Sequence, residues 1–325
     1  MTGGKRTALP RHQTLEATVD WSYELLTEEE QLVFRRLAAF RGGFSLELAE
    51  HVAGGNGVDD RDVLDLIGQL VDKSMLARDD LTGRFEMLET LRQYALRKLT
   101  ESEEADEIRS RHLDAMVGLF SDSVAQIRSP DEIATIRRLE PDHDNLRTAI
   151  VFGLENGHEI AALTLVLTAN HFWAVGSHSV DHLEWTSRAV PHVEELDDEG
   201  LQSEFLSRAA FAAIQRGMPA VARQYVAQST EIADRIIDRR RSAMARLAAG
   251  WLSAIDMDYQ RGVAYGYEAF ELDEAGEDLR LTAWIAQFLT FGERMRQHIA
   301  EAAAAAQMAE DASRALGAPT VIAHR

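Results

Sequence analysis

The residues of this chain that could do chemistry fall into a few small groups. Gly3-Gly4-Lys5-Arg6-Thr7 has the glycines and lysine of a phosphate loop. Arg follows the Lys, however, and no strand precedes the glycines, so backbone amides cannot line up around a phosphate. The pattern GxxxxGK[ST] occurs nowhere in the sequence, and no nucleotide or other cofactor is expected. His171, His178 and His182 are the one suggestive metal group, with Asp181 or His192 as further ligands, because positions 178 and 182 share a helical face. Without cysteine beside them they read as surface histidines, and no metal is assigned. Asp20-Trp21-Ser22 lacks the Gly-x-Ser-x-Gly elbow of a hydrolase and reads as a helix-packing Trp next to a solvated acid. Glu28–Glu30 and Asp197-Asp198-Glu199 suit helix starts, where the dipole favours negative charge, and nothing near them would raise a catalytic pKa. No catalytic residue is assigned, and the chain reads as non-enzymatic. Arg239-Arg240-Arg241 is the strongest basic run, able to bind an acidic partner or phosphate, or simply to form a solvated turn.

Composition narrows the classes. The 325 residues carry a formal charge of −20 and no cysteine. Residues 1–100 hold 13 Lys/Arg against 17 Asp/Glu, and residues 101–325 hold 21 against 37. Such acidity argues against general nucleic-acid binding. Absent thiols, absence of an apolar run of about 18 residues and a polar start fit a cytoplasmic protein.

The elements that must position these residues follow from periodicity and turn chemistry. Residues 1–13 read as a polar lead-in, and 14–99 as a winged-helix module. A helix from about Thr14 is followed by Thr27-Glu28-Glu29-Glu30, a capping box opening the helix that carries Leu32, Val33, Leu37 and Phe40. Ser45 caps a short helix to Val52, and Asp60 or Asp62 caps the helix holding Val63, Leu66, Ile67 and Leu70. Met75-Leu76 and Phe85 to Leu88 flank the turn Asp79-Asp80-Leu81-Thr82-Gly83, which predicts a hairpin wing. Residues 100–157 read as connecting helices: one long helix from Glu101 to Ile127, another from Ser129-Pro130, and a third that ends at Gly157.

From 158 to 325 the chain reads as helix pairs. An offset of 42 superposes Tyr225 on Tyr267 and Ala227 on Ala269, and an offset of 40 places Trp185 under Tyr225. Small residues at fixed places with an aromatic filling the gap predict an α-helical TPR-like solenoid. The expected fold is therefore mostly α: a winged helix, with three or more helices and a β-hairpin, followed by that solenoid. Tyr225, Tyr267 and Trp185, with Arg239, Arg240 and Arg241, are the residues assigned to partner binding.

Several motifs together resemble one family. Arg11-His12-Gln13-Thr14-Leu15, Asp20-Trp21-Ser22-Tyr23-Glu24-Leu25-Leu26, Phe40-Arg41-Gly42-Gly43-Phe44, Leu70-Val71-Asp72-Lys73-Ser74 and Leu88-Glu89-Thr90-Leu91-Arg92-Gln93-Tyr94-Ala95 are similar to the actinobacterial STAND-type (NB-ARC-associated) regulators, the LuxR-like or AfsR-like transcriptional regulators. His143-Asp144-Asn145-Leu146-Arg147 resembles the start of that family's repeat region. The resemblance implies signal transduction in which a winged helix and TPR-like array hold an ATPase core shut. The family's ATPase core precedes the Arg11-His12-Gln13-Thr14-Leu15 motif, which ten residues precede here, so no ATPase core is expected within these 325 residues. Leu88 of Met87-Leu88-Glu89 stands where related proteins carry a nucleotide-sensing His. The partner implied is a protein, such as an ATPase or output domain on another chain, or a small ligand; self-association is a further option. The alternative is a DNA-binding winged-helix transcription factor. Asp62, Asp65 and Asp72 on the third helix and Asp79-Asp80 on the wing tip would repel phosphates.

Overall fold

The computed structural model describes residues 17–176, 178–273 and 278–317, with only the backbone of Arg128 and Ser179. The described chain is mostly helical, and its one sheet is a two-stranded hairpin. It divides into two compact units. One holds the described residues up to Gly118 together with Pro141–His158, and the other holds Leu119–Glu140 together with the described residues after Glu159 begins. The segment 100–157, expected to connect two modules, is thus shared between them.

The first unit is built from α1 (17–24), α2 (Glu28–Leu37), α3 (Leu46–Ala53), α4 (Val63–Asp72), the strands β1 (Ala77–Arg78) and β2 (Phe85–Glu86), and α5 (Glu89–Thr100). It also holds the first part of α6 (Ala105–Ser123) and α8 (His143–Glu155). The capping box forms: Thr27 Oγ1 accepts from Glu30 N–H at 3.2 Å, and Glu30 Oε2 accepts from Thr27 N–H at 2.7 Å. Glu30 is fully buried. Burial would raise its carboxyl, but Lys73 at 2.5 Å and the Thr27 amide together hold it below the usual carboxylate range. Asp62 occupies the cap position of α4 without a side-chain bond, so the expected cap there does not form.

The hairpin forms with Ala77 opposite Glu86 and Arg78 opposite Phe85, shorter than the apolar pattern predicts. Two strands alone cannot bury a face. Here Phe44 adds a bridge, donating to Phe85 O at 2.8 Å and accepting from Phe85 N at 2.9 Å. Gly43, at φ +97°, must be glycine, because a Cβ would stand 3.0 Å from the Phe85 carbonyl. Asn145 holds the same turn: its Oδ1 accepts from Arg41 N at 2.6 Å, and its Nδ2 donates to Gly43 O at 2.8 Å and Asp142 Oδ1 at 3.0 Å. Asp142 in turn receives both Nη atoms of Arg84, at 3.1 and 2.6 Å. The Gly42-Gly43 and Asp144-Asn145 motifs, a hundred residues apart, are therefore parts of one junction. Trp21, expected to pack between helices, is 64% exposed.

The second unit contains the end of α6, a one-turn 3₁₀ segment at Gln126–Arg128, α7 (Glu132–Leu139) and the array. The long helix expected to Ile127 thus stops at Ser123. The array comprises α9 (Glu159–Val175), α10 (Ser179–Ala189), α11 (Glu199–Gln215), α12 (Pro219–Ala233), α13 (Arg239–Ile255), α14 (Tyr259–Leu272), α15 (Leu279–Met295) and α16 (Ile299–Leu316). Each helix starts 20 residues after the last, so the repeat is 40 throughout and the offset of 42 is corrected. At 40, Tyr225 falls on Tyr265, and Trp185 begins the series. The local code is explicit. Asp198, Asp238 and Asp278 cap α11, α13 and α15 by accepting backbone N–H groups. Gly217, Met257 and Gln297 make the turn inside each pair with φ of +67°, +61° and +65°. Gly250 of α13 meets Gly262 of α14 so closely that a Cβ on Gly262 would lie 3.0 Å from the Gly250 carbonyl.

Two substitutions test these constraints. Asn145→Ala removes three hydrogen bonds from buried groups and is expected to destabilise the first unit by about 2–4 kcal/mol in urea titrations. Gly262→Ala forces two helix backbones apart and is expected to cost about 1–3 kcal/mol in the array.

Candidate functional site

Helix starts at a fixed spacing put like residues in like places, and in the array this brings charges together. Arg240 and Arg280 are equivalent, each the second residue of its helix, one repeat apart. Arg240 reaches Glu204 of α11 at 3.3 Å and Asp278 at 3.0 Å. Arg241 reaches Asp198 at 3.1 Å and Glu204 at 3.4 Å. Glu204 also receives Arg208 at 2.6 Å, one turn further along α11. Burial alone would raise the Glu204 carboxyl, but Arg208, Arg240 and Arg241 bring it down to about 2. Arg208 Nη1 donates to Asn170 Oδ1 at 3.1 Å, and Asn170 Nδ2 lies 2.7 Å from His182 Nε2. A polar seam therefore runs through α10, α9, α11 and α13 to the start of α15.

At its far end Arg280, 5% exposed, meets Glu132 of α7 and His171 of α9. Glu132 is fully buried; its Oε1 lies 3.3 Å from Arg280 Nη2 and 2.8 Å from His171 Nε2. Among the described residues Arg280 Nε and His182 Nδ1 have no hydrogen-bond partner. Burial pulls the Arg280 guanidinium down from its ordinary value and moves His182 to about 4, so the His182 imidazole is neutral near pH 7.

The residues singled out from sequence sit as follows. Arg239 donates to the carbonyls of Glu271 and Leu272 at the end of α14, while Arg240 and Arg241 face the carboxylates above. Tyr225 and Trp185 are buried, and Tyr267 is 41% exposed with its hydroxyl on Glu293 at 3.1 Å. The three histidines take separate partners: His171 the Glu132–Arg280 pair, His178 Glu140 at 2.9 Å, and His182 Asn170. His171 and His182 are buried, which overturns their reading as surface residues; the helices that carry them turn them inward. Glu132, Glu204, Arg208 and Arg280 escaped the sequence reading. Only the spacing of Glu204 and Arg208 and the equivalence of Arg240 with Arg280 could have signalled them.

Comparison with known proteins gives partial relatives. No family model matches the chain. A protein of Mycobacterium tuberculosis (strain ATCC 25618 / H37Rv), provisionally named an HTH-type transcriptional regulator, is 43% identical over 190 residues, covering 57% of this chain and 21% of that one. A Mycobacterium bovis counterpart matches equally. An uncharacterized protein of M. tuberculosis is 40% identical over 119 residues, 34% of this chain and 29% of its own. The chain thus spans about a fifth to under a third of the curated relatives it matches. Among solved structures, a STAND protein with a tetratricopeptide repeat sensor from Pyrococcus horikoshii aligns with 92% of this chain and 46% of its own, at TM-score 0.47 and 13% identity. BtubC from P. vanneervenii aligns with 68% of this chain and 91% of its own, at TM-score 0.46 and 15% identity. The chain is homologous to mycobacterial proteins named as transcriptional regulators.

The seam makes stability pH-dependent. His182 titrates at about 4 folded against 6.5 in its ordinary state, so the unfolded chain binds more protons between those values and stability falls as pH is lowered through that window. Glu204, held to about 2 from 4.5, adds a further loss below pH 4.5. Urea unfolding followed by tryptophan fluorescence, to which Trp173, Trp185, Trp251 and Trp284 of the array contribute, should show this. In His182→Gln the slope between pH 6 and 5 should become shallower by up to about 1.4 kcal/mol per pH unit, the contribution of one proton.

Proposed function

We propose that this chain is a non-enzymatic regulatory module of a STAND-type, LuxR-like or AfsR-like transcriptional regulator system. In this reading its TPR-like array binds a protein partner or a small ligand, and its first unit acts as an intramolecular winged-helix regulator in the cytoplasm. The observation that carries the reading is the 43% identity over 190 residues to a protein named as a transcriptional regulator. The order of elements supports it too, since α2, α3, α4 and the hairpin precede a helical array of uniform period.

The surface chemistry favours a switch over a DNA reader. Asp62, Asp65 and Asp72 are exposed on or beside α4, and Asp79, Asp80 and Glu86 are exposed on the hairpin. Lys73, a cation at the end of that helix, is engaged with Glu30. A groove-reading helix and wing would instead present Arg and Lys to phosphates. The name of the mycobacterial relatives keeps DNA binding as the second reading.

Three measurements separate the readings. With the full chain as bait in a native cytosol, retention of a P-loop ATPase chain is expected, and recovery of nothing but the bait would count against a protein partner that carries the ATPase. Duplex DNA retention at about 50 mM salt, lost steeply by 200 mM, would move the assignment to the DNA-binding reading. Mg-ATP at millimolar concentration is expected to leave the melting temperature unchanged, whereas a rise of several degrees would reveal a nucleotide site.

A further inference from the structure

The repeat itself exposes an irregularity. Arg240 finds its carboxylate, Glu204, in the preceding repeat. One repeat on, the residue equivalent to Glu204 is Met244, which is buried and carries no charge. Arg280 therefore lacks the acid that the array supplies to Arg240. The missing carboxylate comes instead from Glu132, 148 positions earlier and outside the repeats.

Glu132 belongs to a strap, residues 126–139, laid against the array at several points. Ile127 O accepts from Arg280 Nη2 at 3.5 Å, Glu132 sits between Arg280 and His171, and Pro130 lies against Gly317 just past α16. Its apolar residues Ile127, Ile136 and Leu139 are buried, while Ile133 is 38% exposed.

The central contact is internally contradictory. His171 Nε2 lies 2.8 Å from Glu132 Oε1 and 2.9 Å from Arg280 Nη1. Carrying a proton, that nitrogen donates to Glu132 but confronts an Arg280 N–H. Without one, it accepts from Arg280 but turns its lone pair toward the carboxylate. One of these two contacts is unfavourable in either tautomer, and Arg280 Nε has no partner among the described residues. A buried polar group that is only partly satisfied is costly to keep.

We propose that Arg280 and His171 form a carboxylate-binding cradle on the array, and that Glu132 is its resident, exchangeable occupant. The strap is then an intramolecular ligand, and the external ligand class is a peptide segment presenting a carboxylate between apolar residues. This rests on the reading of the array as a binding surface, yet strap exchange is measured without reference to transcription or to any ATPase.

The test uses the full chain. In hydrogen–deuterium exchange, amides of α7 are expected to exchange at least about tenfold faster than those of α11 and α13, through an opening that leaves the array folded. Glu132→Gln should raise exchange in α7 at least about tenfold more and leave α11 and α13 unchanged. A fluorescein-labelled peptide of residues 126–139 should bind the Glu132→Gln chain at least about tenfold more tightly than the unmodified chain. It should lose at least about tenfold in affinity when the peptide's own Glu is Gln, or when Arg280→Ala is added to the chain. Exchange of α7 only through global unfolding of the array would overturn the proposal, even if the variant fails to fold. So would uniform loss of protection across α9–α16 in Glu132→Gln, or peptide binding that ignores the carboxylate and Arg280.

Discussion

Charge burial is the constraint on which the array depends. Glu132, Glu204, Arg208 and Arg280 are all nearly inaccessible, and an uncompensated ion in such a place costs several kcal/mol. The array meets this by spacing. A 40-residue period puts Asp198, Asp238 and Asp278 at the starts of alternate helices, beside arginines in the first turns of α13 and α15. The aspartates cap the helices and, with Glu204, compensate the arginines, so one acid serves both local structure and tertiary pairing. Stability gained from such pairs is small next to that of apolar packing. Their effect lies in register, because an arginine held between carboxylates fixed on two neighbouring helices has one good place to sit.

Packing supplies the bulk of the cohesion. Leu247, Val263, Leu281, Ile285, Phe288 and Leu289 form a continuous buried cluster through α13, α14 and α15, with Trp251 and Trp284 at its margin. Gly250 and Gly262 let α13 and α14 approach, and Phe288 fills the space against both Gly250 and Gly266. Phe211, Trp251 and Phe291 fall at equivalent places in successive repeats, and the equivalent place in α9 is His171. The aromatic column thus becomes polar at the repeat where Glu132 is received. That exchange of an aromatic for an imidazole ties the helical periodicity directly to the candidate cradle.

The first unit works on a different principle. Its hairpin is too short to hold itself, and its shape comes from a junction in which Gly43, Phe44, Phe85, Asp142 and Asn145 satisfy one another's polar groups. Arg36, buried at the centre, donates to the carbonyls of Ala53, Gly55 and Asn56 while pairing with Glu104. Both devices use one side chain with several hydrogen-bonding atoms to close a loop whose carbonyls would otherwise be orphaned. Such loops keep their form without regular structure.

Sequence by itself determined the local chemistry. The capping box at Thr27, the Ser45 cap, the Gly83 turn and the helix end at Gly157 all follow from residue types acting within four positions of one another. It also determined the helical class and the pairing of helices, because small and aromatic residues recur with the repeat. Tertiary structure alone decided which charges meet between helices. Nothing within reach of Glu132 in sequence marks it as a buried acid, and its partners lie 39 and 148 positions away. His171 and His182 look alike in the sequence, yet one joins an ion pair and the other, kept neutral by burial, lies against the amide of Asn170. Asn145 and Gly43 likewise acquire their meaning from each other across 102 positions. Hydrogen bonds within a turn are written in neighbouring residues. Desolvation and ion pairing depend on which helices close over a side chain, and only the folded chain settles that.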